Sequence, residues 1–409
     1  MKNRENRTLV IGGGYPQNSL MEALVELGQE ITVIDDRENI PAHTVTDDVV
    51  SINRYDVKGI LAFAEENPPQ YVASGGNDNA VHFMTLIAEH LGLPSYISSE
   101  TSQWPMKKGA VRKLLDNNDI PVPRTYEINS LEDAQALDWN SMRFPVVIKP
   151  DEGIGQTGVD KANSPGEAIS SIEEAFGVTR NNRVLLQEFI EGQEVSLNGI
   201  VVDGCFKLLT TSCRNSSRDR GGAFGVAMEK VYPAITDKSK LSEIEEMVNK
   251  ACQLMEIENG PIYAQTIVDE DENVFIIEIM PRLGGGEDPR AVKAATGFDL
   301  SKATAQLCIG ETIDKPDFSI SRDTPKAVVL RFLKIAAGTI RSIKGVMEAY
   351  DLPGVEKIEI FFREGDSVGE LKTSRQRVGY ILARGDSTEE ASSRADAAED
   401  TIKIAVDAE

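Results

Sequence analysis

A chain of 409 residues is long enough for two to three domains at roughly 100–200 residues each. With 41% hydrophobic and 27% charged residues it has the make-up of a globular protein with a substantial core. Its 43 Lys and Arg against 66 Asp and Glu give a net charge of −23, which argues against nucleic acid or an anionic membrane as main partner while leaving room for one local basic pocket.

The N-terminal hundred residues alternate in type. Thr8–Ile11 reads as a buried strand, Gly12–Gly14 as a turn, and Ser19–Leu27 as a helix with Leu20, Leu24 and Leu27 on one face. Ile31–Ile34 is a second strand ending at Asp35 and Asp36. Lys58–Glu66 is a helix, Tyr71–Ala73 a strand, and Ala80–Leu91 a helix closed by Gly92 and Pro94. This alternation predicts a parallel sheet wrapped by helices. Gly12-x-Gly14 with a later acid imitates a dinucleotide fingerprint, but Gln17 stands where the third glycine belongs, so a structural turn is the better reading.

Met106–Asn117 reads as a helix stopped by the Pro-rich segment 119–123. Phe144–Pro150 is a strand that closes on Lys149 and runs into a loop with Gly153, Gly155 and Gly158. Glu167–Phe176 is a helix and Arg183–Phe189 a strand. Glu194–Val202 and Cys205–Thr211 form a hairpin turning at Asp203-Gly204. A helix over Asp237–Met255 precedes a second hairpin, Ile262–Val268 with Val274–Met280. Strands are expected at Ala327–Leu333, Lys357–Phe362 and Arg377–Arg384, and a closing helix at Glu389–Val406.

No signal-type segment opens the chain, and no run of about 18 apolar residues occurs, so a cytoplasmic protein is expected. The four cysteines are scattered without CxxC, and there are three histidines. A zinc site and a Ser–His or Cys–His hydrolase are both disfavoured.

Three segments carry chemistry, and each also has a plain structural reading. Lys149 beside glycines can cover phosphates, the lysine by charge and the glycine N–H groups by close approach; a simple turn is the alternative. In 185–194 a strand ends and the chain bends through Gln187, Glu188, Phe189 and Ile190 to Glu194. Extended backbone there can meet an adenine edge and the acid a ribose; an edge strand with solvated acids is the alternative. Gln265 and Glu278 lie on the two strands of one hairpin, where they can face each other and hold Mg2+ bridging phosphates. Arg282, followed by glycines 284–286, is a plausible clamp for an anion or carboxylate.

In this order, with Lys108 at a helix start, these segments resemble the ATP-grasp superfamily over nearly the whole chain. The resemblance implies an α/β (α+β) ATP-grasp fold: a Rossmann-like N-terminal domain over 1–100, an ATP-grasp domain over 101–310 with a lid at about 145–205, and a C-terminal domain over 311–409. It implies that Lys108 and Lys149 bind ATP phosphates under the loop of Gly153, Gly155 and Gly158. Gln187, Glu188, Phe189 and Ile190 would hold adenine, and Glu194 ribose. Gln265 and Glu278 would hold Mg2+, or Mn2+ in its place, and Arg282 would act on the acyl phosphate.

The C-terminal stretch, with 336–345, 353–355 and 378–385, looks like the module of biotin carboxylases, L-amino acid ligases and carnosine-synthase-like enzymes. Met280 departs from the family pattern, since a thioether is a poor Mg2+ ligand. Glu229 sits where ligase relatives place an acid near the incoming amine, and Arg214, Arg218 and Arg220 lie in a loop that can cover substrate. The expected activity is a carboxylate–amine ligase with catalytic Arg282, Glu229 and Lys149, acting on small carboxylates and amines such as amino acids and releasing ADP and phosphate. A homodimer is compatible with it. A bicarbonate-dependent carboxylase and a weakened ATP-binding regulator are the alternatives.

Overall fold

The computed structural model describes residues 6–38, 40–152, 158–179, 181–216, 226–313 and 326–407. Strands β1 (Arg7–Ile11), β2 (Glu30–Ile34), β3 (Val49–Val50) and β4 (Tyr71–Ala73) form a parallel sheet in the order β3-β2-β1-β4. Helices α1 (Tyr15–Glu26) and α2 (Val57–Glu66) lie between them in the chain, and α3 (Asp78–Leu91) follows β4. The apolar runs of β1 and β2 are buried almost throughout, as a sheet covered on both faces requires.

The glycine turn after β1 is built as structure. Asp35 accepts from the Gly13 N–H at 2.9 Å and pairs with Arg37. Gln17 donates to Ser74 Oγ at 2.8 Å and accepts from the Gly75 N–H at 2.9 Å, tying β1 to the chain after β4. The acid that would meet a ribose in a dinucleotide site is thus consumed in fixing the turn.

Helix α4 (Lys108–Asp116) leads into a second sheet of β5 (Thr125–Ile128), β6 (Val146–Pro150), β7 (Asp160–Ala162) and β8 (Val184–Glu188), antiparallel in the order β5-β8-β6-β7. Its apolar face packs on α5 (Leu131–Ala136) and α6 (Pro165–Phe176).

A third sheet spans eight strands. They are β9 (Gly192–Val202), β10 (Cys205–Ser216), β11 (Ala227–Tyr232), β12 (Gly260–Asp269), β13 (Val274–Met280), β14 (Ala327–Leu333), β16 (Val355–Ile360) and β18 (Gly379–Gly385). The order is β13-β12-β9-β10-β11-β14-β18-β16. The β9–β10 hairpin turns at Asp203 and Gly204, both with positive φ, as the paired Asp-Gly requires. α7 (Lys238–Leu254) packs on β10, and its Ile244, Val248 and Ala251 share one apolar core with residues of β9, β10 and β12. α8 (Asp288–Thr296) and α9 (Leu300–Cys308) follow β13.

The sheet does not stop at residue 310: β14 pairs with β11, setting Arg331 opposite Glu229. A small sheet of β15 (Gly338–Lys344), β17 (Ser367–Val368) and β19 (Lys403–Asp407) completes the fold. The closing helix is shorter than expected, Thr388–Thr401, because 403–407 alternates exposed and half-buried residues and pairs with β15.

Candidate functional site

One cavity of about 560 Å3 is lined from all three segments of the chain. Period-two alternation along β6 sends Val146 and Ile148 into the α5–α6 core and leaves Val147 and Lys149 facing the cavity. Lys149 is buried. Burial, with Arg112 and Lys108 nearby, pulls its pKa down to about 7, against the opposing pull of Glu278 and Asp151.

Lys108 and Arg112 stand one turn apart on α4 and both line the cavity. Asp151 accepts from the Gly109 N–H at 2.8 Å, fastening the start of α4 to the end of β6. That bond sets the two lysines toward a common space. Gly158 has φ +74, and a Cβ there would come within 2.6 Å of Val178 Cγ2. Gly153 and Gly155 lie outside the described residues, as do Arg218 and Arg220.

Gln187, Glu188, Phe189, Ile190 and Glu194 line the cavity where the chain crosses from β8 to β9. Gln187 also donates to Thr125 Oγ1 at 2.8 Å, which spends its amide on the neighbouring strand. Lys161 Nζ sits 3.6 Å from the centre of the Phe189 ring. Arg214 approaches Glu194 at 3.6 Å.

Gln265 and Glu278 are direct cross-strand partners. A bulge at Gln265/Thr266 shifts the register, so Ile276 and Ile279 both enter the α7 core and Glu278 faces the cavity. Lys108 Nζ lies 4.0 Å from Glu278 Oε1. Burial would raise the Glu278 pKa, but Lys108, Lys149, Arg112 and Arg282 together hold it below its ordinary value. An ionised carboxylate beside one amide oxygen fits Mg2+, which takes few protein ligands and completes its shell with phosphates and water. Met280 does not join that set: its sulfur accepts from Arg282 Nη2 at 2.9 Å. Among the described residues no group of three or more His, Cys, Asp and Glu is placed to hold a metal.

Arg282 reaches across to the N-terminal domain, where its Nε donates to Asp78 Oδ1 at 2.7 Å, at the first turn of α3.

The expectation for Glu229 is corrected. Along β11, Met228, Lys230 and Tyr232 share the face toward the cavity and α8, while Glu229 takes the other. Arg331 grips it with Nε at 2.7 Å, and the same guanidinium meets Asp396 and Glu399 of the closing helix. The neighbouring Lys230 faces the cavity, held by both oxygens of Asp288 at 2.6 Å.

Sequence reasoning missed Arg112, Lys230, Arg377, Asp78 and Asp288. Only Arg112 carried a local signal, its spacing of four from Lys108.

Residues 107–316 match the family model described as carbamoyl-phosphate synthase L chain, ATP binding domain. Residues 331–407 match L-amino acid ligase C-terminal domain 2. A phosphoribosylamine–glycine ligase of Vibrio parahaemolyticus is 25% identical over 374 residues, covering 85% of this chain and 83% of the relative. Dapdiamide A synthase of Enterobacter agglomerans is 25% identical over 252 residues, 59% of this chain and 57% of its own. The crystal structure of an L-amino acid ligase from Bacillus licheniformis superposes over 100% of both chains with a TM-score of 0.83 at 21% identity. The biotin carboxylase domain of the Hydrogenobacter thermophilus 2-oxoglutarate carboxylase, solved with MgADP and bicarbonate, superposes with a TM-score of 0.81 at 16% identity. That match covers 98% of this chain and 91% of the domain.

Proposed function

From the premise that the chain belongs to the carbamoyl-phosphate synthase ATP-binding-domain family of ATP-grasp ligases, we propose that it joins a carboxylate to an amine through an acyl phosphate, releasing ADP and phosphate. The observation that carries this reading is the convergence, in one cavity, of the Lys108–Arg112–Lys149 cluster, the Gln265–Glu278 pair and the Asp78-held Arg282.

Phosphoryl transfer asks little covalent chemistry of a protein and much positioning and charge neutralisation. Lys108, Arg112 and Lys149 supply positive charge for the phosphates of ATP. Gln187–Ile190 and Glu194 line the stretch that suits the nucleoside. Glu278 and Gln265 would hold Mg2+, which neutralises phosphate charge when bound. Arg282, oriented by Asp78, offers its guanidinium to the carboxylate being activated. The matched C-terminal module favours amino acids as substrates.

The test is ADP release over a matrix of L-amino acids, singly and in pairs, with mass detection of products. Release that depends on a pair, with an amide product, supports the ligase; release driven by bicarbonate alone overturns it. Glu278→Ala should abolish substrate-dependent ADP release in a folded protein, and near-normal turnover would remove Glu278 from the metal site.

A further inference from the structure

Four cations gather where the cavity meets Gly285 and Gly286. Three have carboxylates: Arg282 with Asp78 at 2.7 Å, Lys230 with Asp288 at 2.6 Å, and Arg214 with Glu194 at 3.6 Å. Arg377, just before β18, has no carboxylate within ion-pair distance among the described residues. Its Nη2 donates to the Ala227 carbonyl, and its guanidinium lies 3.8 Å from the centre of the Phe332 ring. Its Nε is buried without an acceptor.

Burial pulls the Arg377 pKa down to about 9, and the nearby charge of Arg214 adds to that effect, against the opposing pull of Asp288 and Tyr263. The space before it is kept by Gly286, at φ +69, where a Cβ would stand 3.3 Å from Arg377 Nη1 and 3.1 Å from Phe332.

A half-buried guanidinium whose Nε is buried without an acceptor, set beside Arg214 and helped only at longer range by Asp288, which is already bonded to Lys230, is costly. An anion arriving from solution relieves that cost, and the planar fork of arginine matches a carboxylate. The phosphate-binding cations sit elsewhere, on α4 and β6, and the carboxylate to be phosphorylated belongs beside them and Arg282. Arg377 comes instead from the C-terminal strands, behind the glycine turn.

We propose that Arg377 binds a second carboxylate, the one that is not phosphorylated: the α-carboxylate of the amine substrate, which is therefore an α-amino acid or a peptide and not a simple amine. This rests on the ligase reading and names the class of its second substrate. Arg377 is then a specificity-determining residue, fixing the amine by its distal end.

The first test needs no turnover. Thermal unfolding of the full chain is followed with MgADP, adding each L-amino acid or its carboxamide. At least one amino acid should raise the melting temperature where its carboxamide does not, by linkage of binding to folding. Arg377→Gln should lose that response and keep the response to MgADP, which reports a folded protein. Arg377→Lys, which retains charge without the fork, should respond more weakly than wild type.

In turnover of a productive pair, Arg377→Gln should raise KM for the amine substrate by about tenfold to a hundredfold, the weight of a charge-assisted hydrogen bond. KM for ATP and for the acyl-side substrate should hold, and the preference for acid over carboxamide should vanish. No amino-acid response in the wild type, a wild-type response in either variant, or a loss on the ATP or acyl side overturns the subsite. A carboxylate response that depends on Arg377, without amide product from any pair, supports the anion site and overturns the ligase reading alone.

Discussion

Lys149 is the residue whose chemistry depends most on its neighbours. With its pKa near 7 in the free protein, much of it is neutral above that pH. A bound polyanion favours the ammonium, so nucleotide binding takes up a proton and weakens as pH rises past about 7. Between about pH 7.5 and 9, where ATP itself is fully ionised, the dissociation constant should climb toward tenfold per pH unit. Calorimetry in buffers of different ionisation heat should show proton uptake. Lys149→Arg, always charged, should flatten the profile, and a flat wild-type profile removes the coupling. Glu229 makes the opposite point. It looked catalytic because it stands where ligase relatives place an acid near the incoming amine, yet a strand flips face at every residue, and only the register of β11 against β14 decides whether Glu229 or Lys230 meets the cavity. Glu229→Gln should cost about 1–3 kcal/mol of stability by weakening the buried Arg331 pair. Urea unfolding checks this. The pH–rate profile should stay as it is, and a changed profile at full folding would return Glu229 to the chemistry.

At the scale of elements, the sequence showed those with strong periodicity: the N-terminal strand–helix alternation, α7, and the β9–β10 and β12–β13 hairpins. Gln265 and Glu278 were legible as a pair because a short turn between two apolar strands leaves few registers. The bulge that aims Glu278 was not, since it depends on Ile276 and Ile279 competing for the α7 core. β19 was read as the end of a helix because an alanine-rich helix runs directly into it, and only pairing with β15 distinguishes the two. Most of the missed site residues are contacts between elements far apart in sequence, such as Asp78 with Arg282. That contact predicts a division of effect. Asp78→Asn leaves the α3 start in place but loosens Arg282, so kcat should fall about tenfold to a hundredfold with KM for ATP little changed. A matching loss in nucleotide affinity would show that Asp78 acts through the nucleotide end instead.

For the whole molecule, the charge of −23 and an anionic substrate are compatible because the cations are concentrated: among the described residues the cavity lining carries seven Lys and Arg against six Asp and Glu. The lining draws on the second and the large sheet and on the starts of α1 and α3, and the large sheet runs unbroken through β11 and β14 into the C-terminal strands. Length suggested two to three domains, and pairing between strands far apart in the chain has no signature in local sequence, so this continuity was hidden. It has a mechanical consequence. Met228 and Tyr232 of β11, Ala291 and Ala295 of α8, and Val328, Leu330 and Tyr380 of the C-terminal strands form one apolar cluster. A chain ending at Ile313 would leave β11 as an exposed edge with the first half of that cluster bare, the situation in which sheets aggregate. Such a truncation should be insoluble or fail to unfold cooperatively, whereas the full chain should lose β14–β18 and the ATP-binding core in a single transition. Calorimetry with and without MgADP tests this: the nucleotide should shift the whole transition upward. Two separate transitions, with only the first untouched by MgADP, would mean that the C-terminal strands melt on their own and that the shared sheet is no mechanical link.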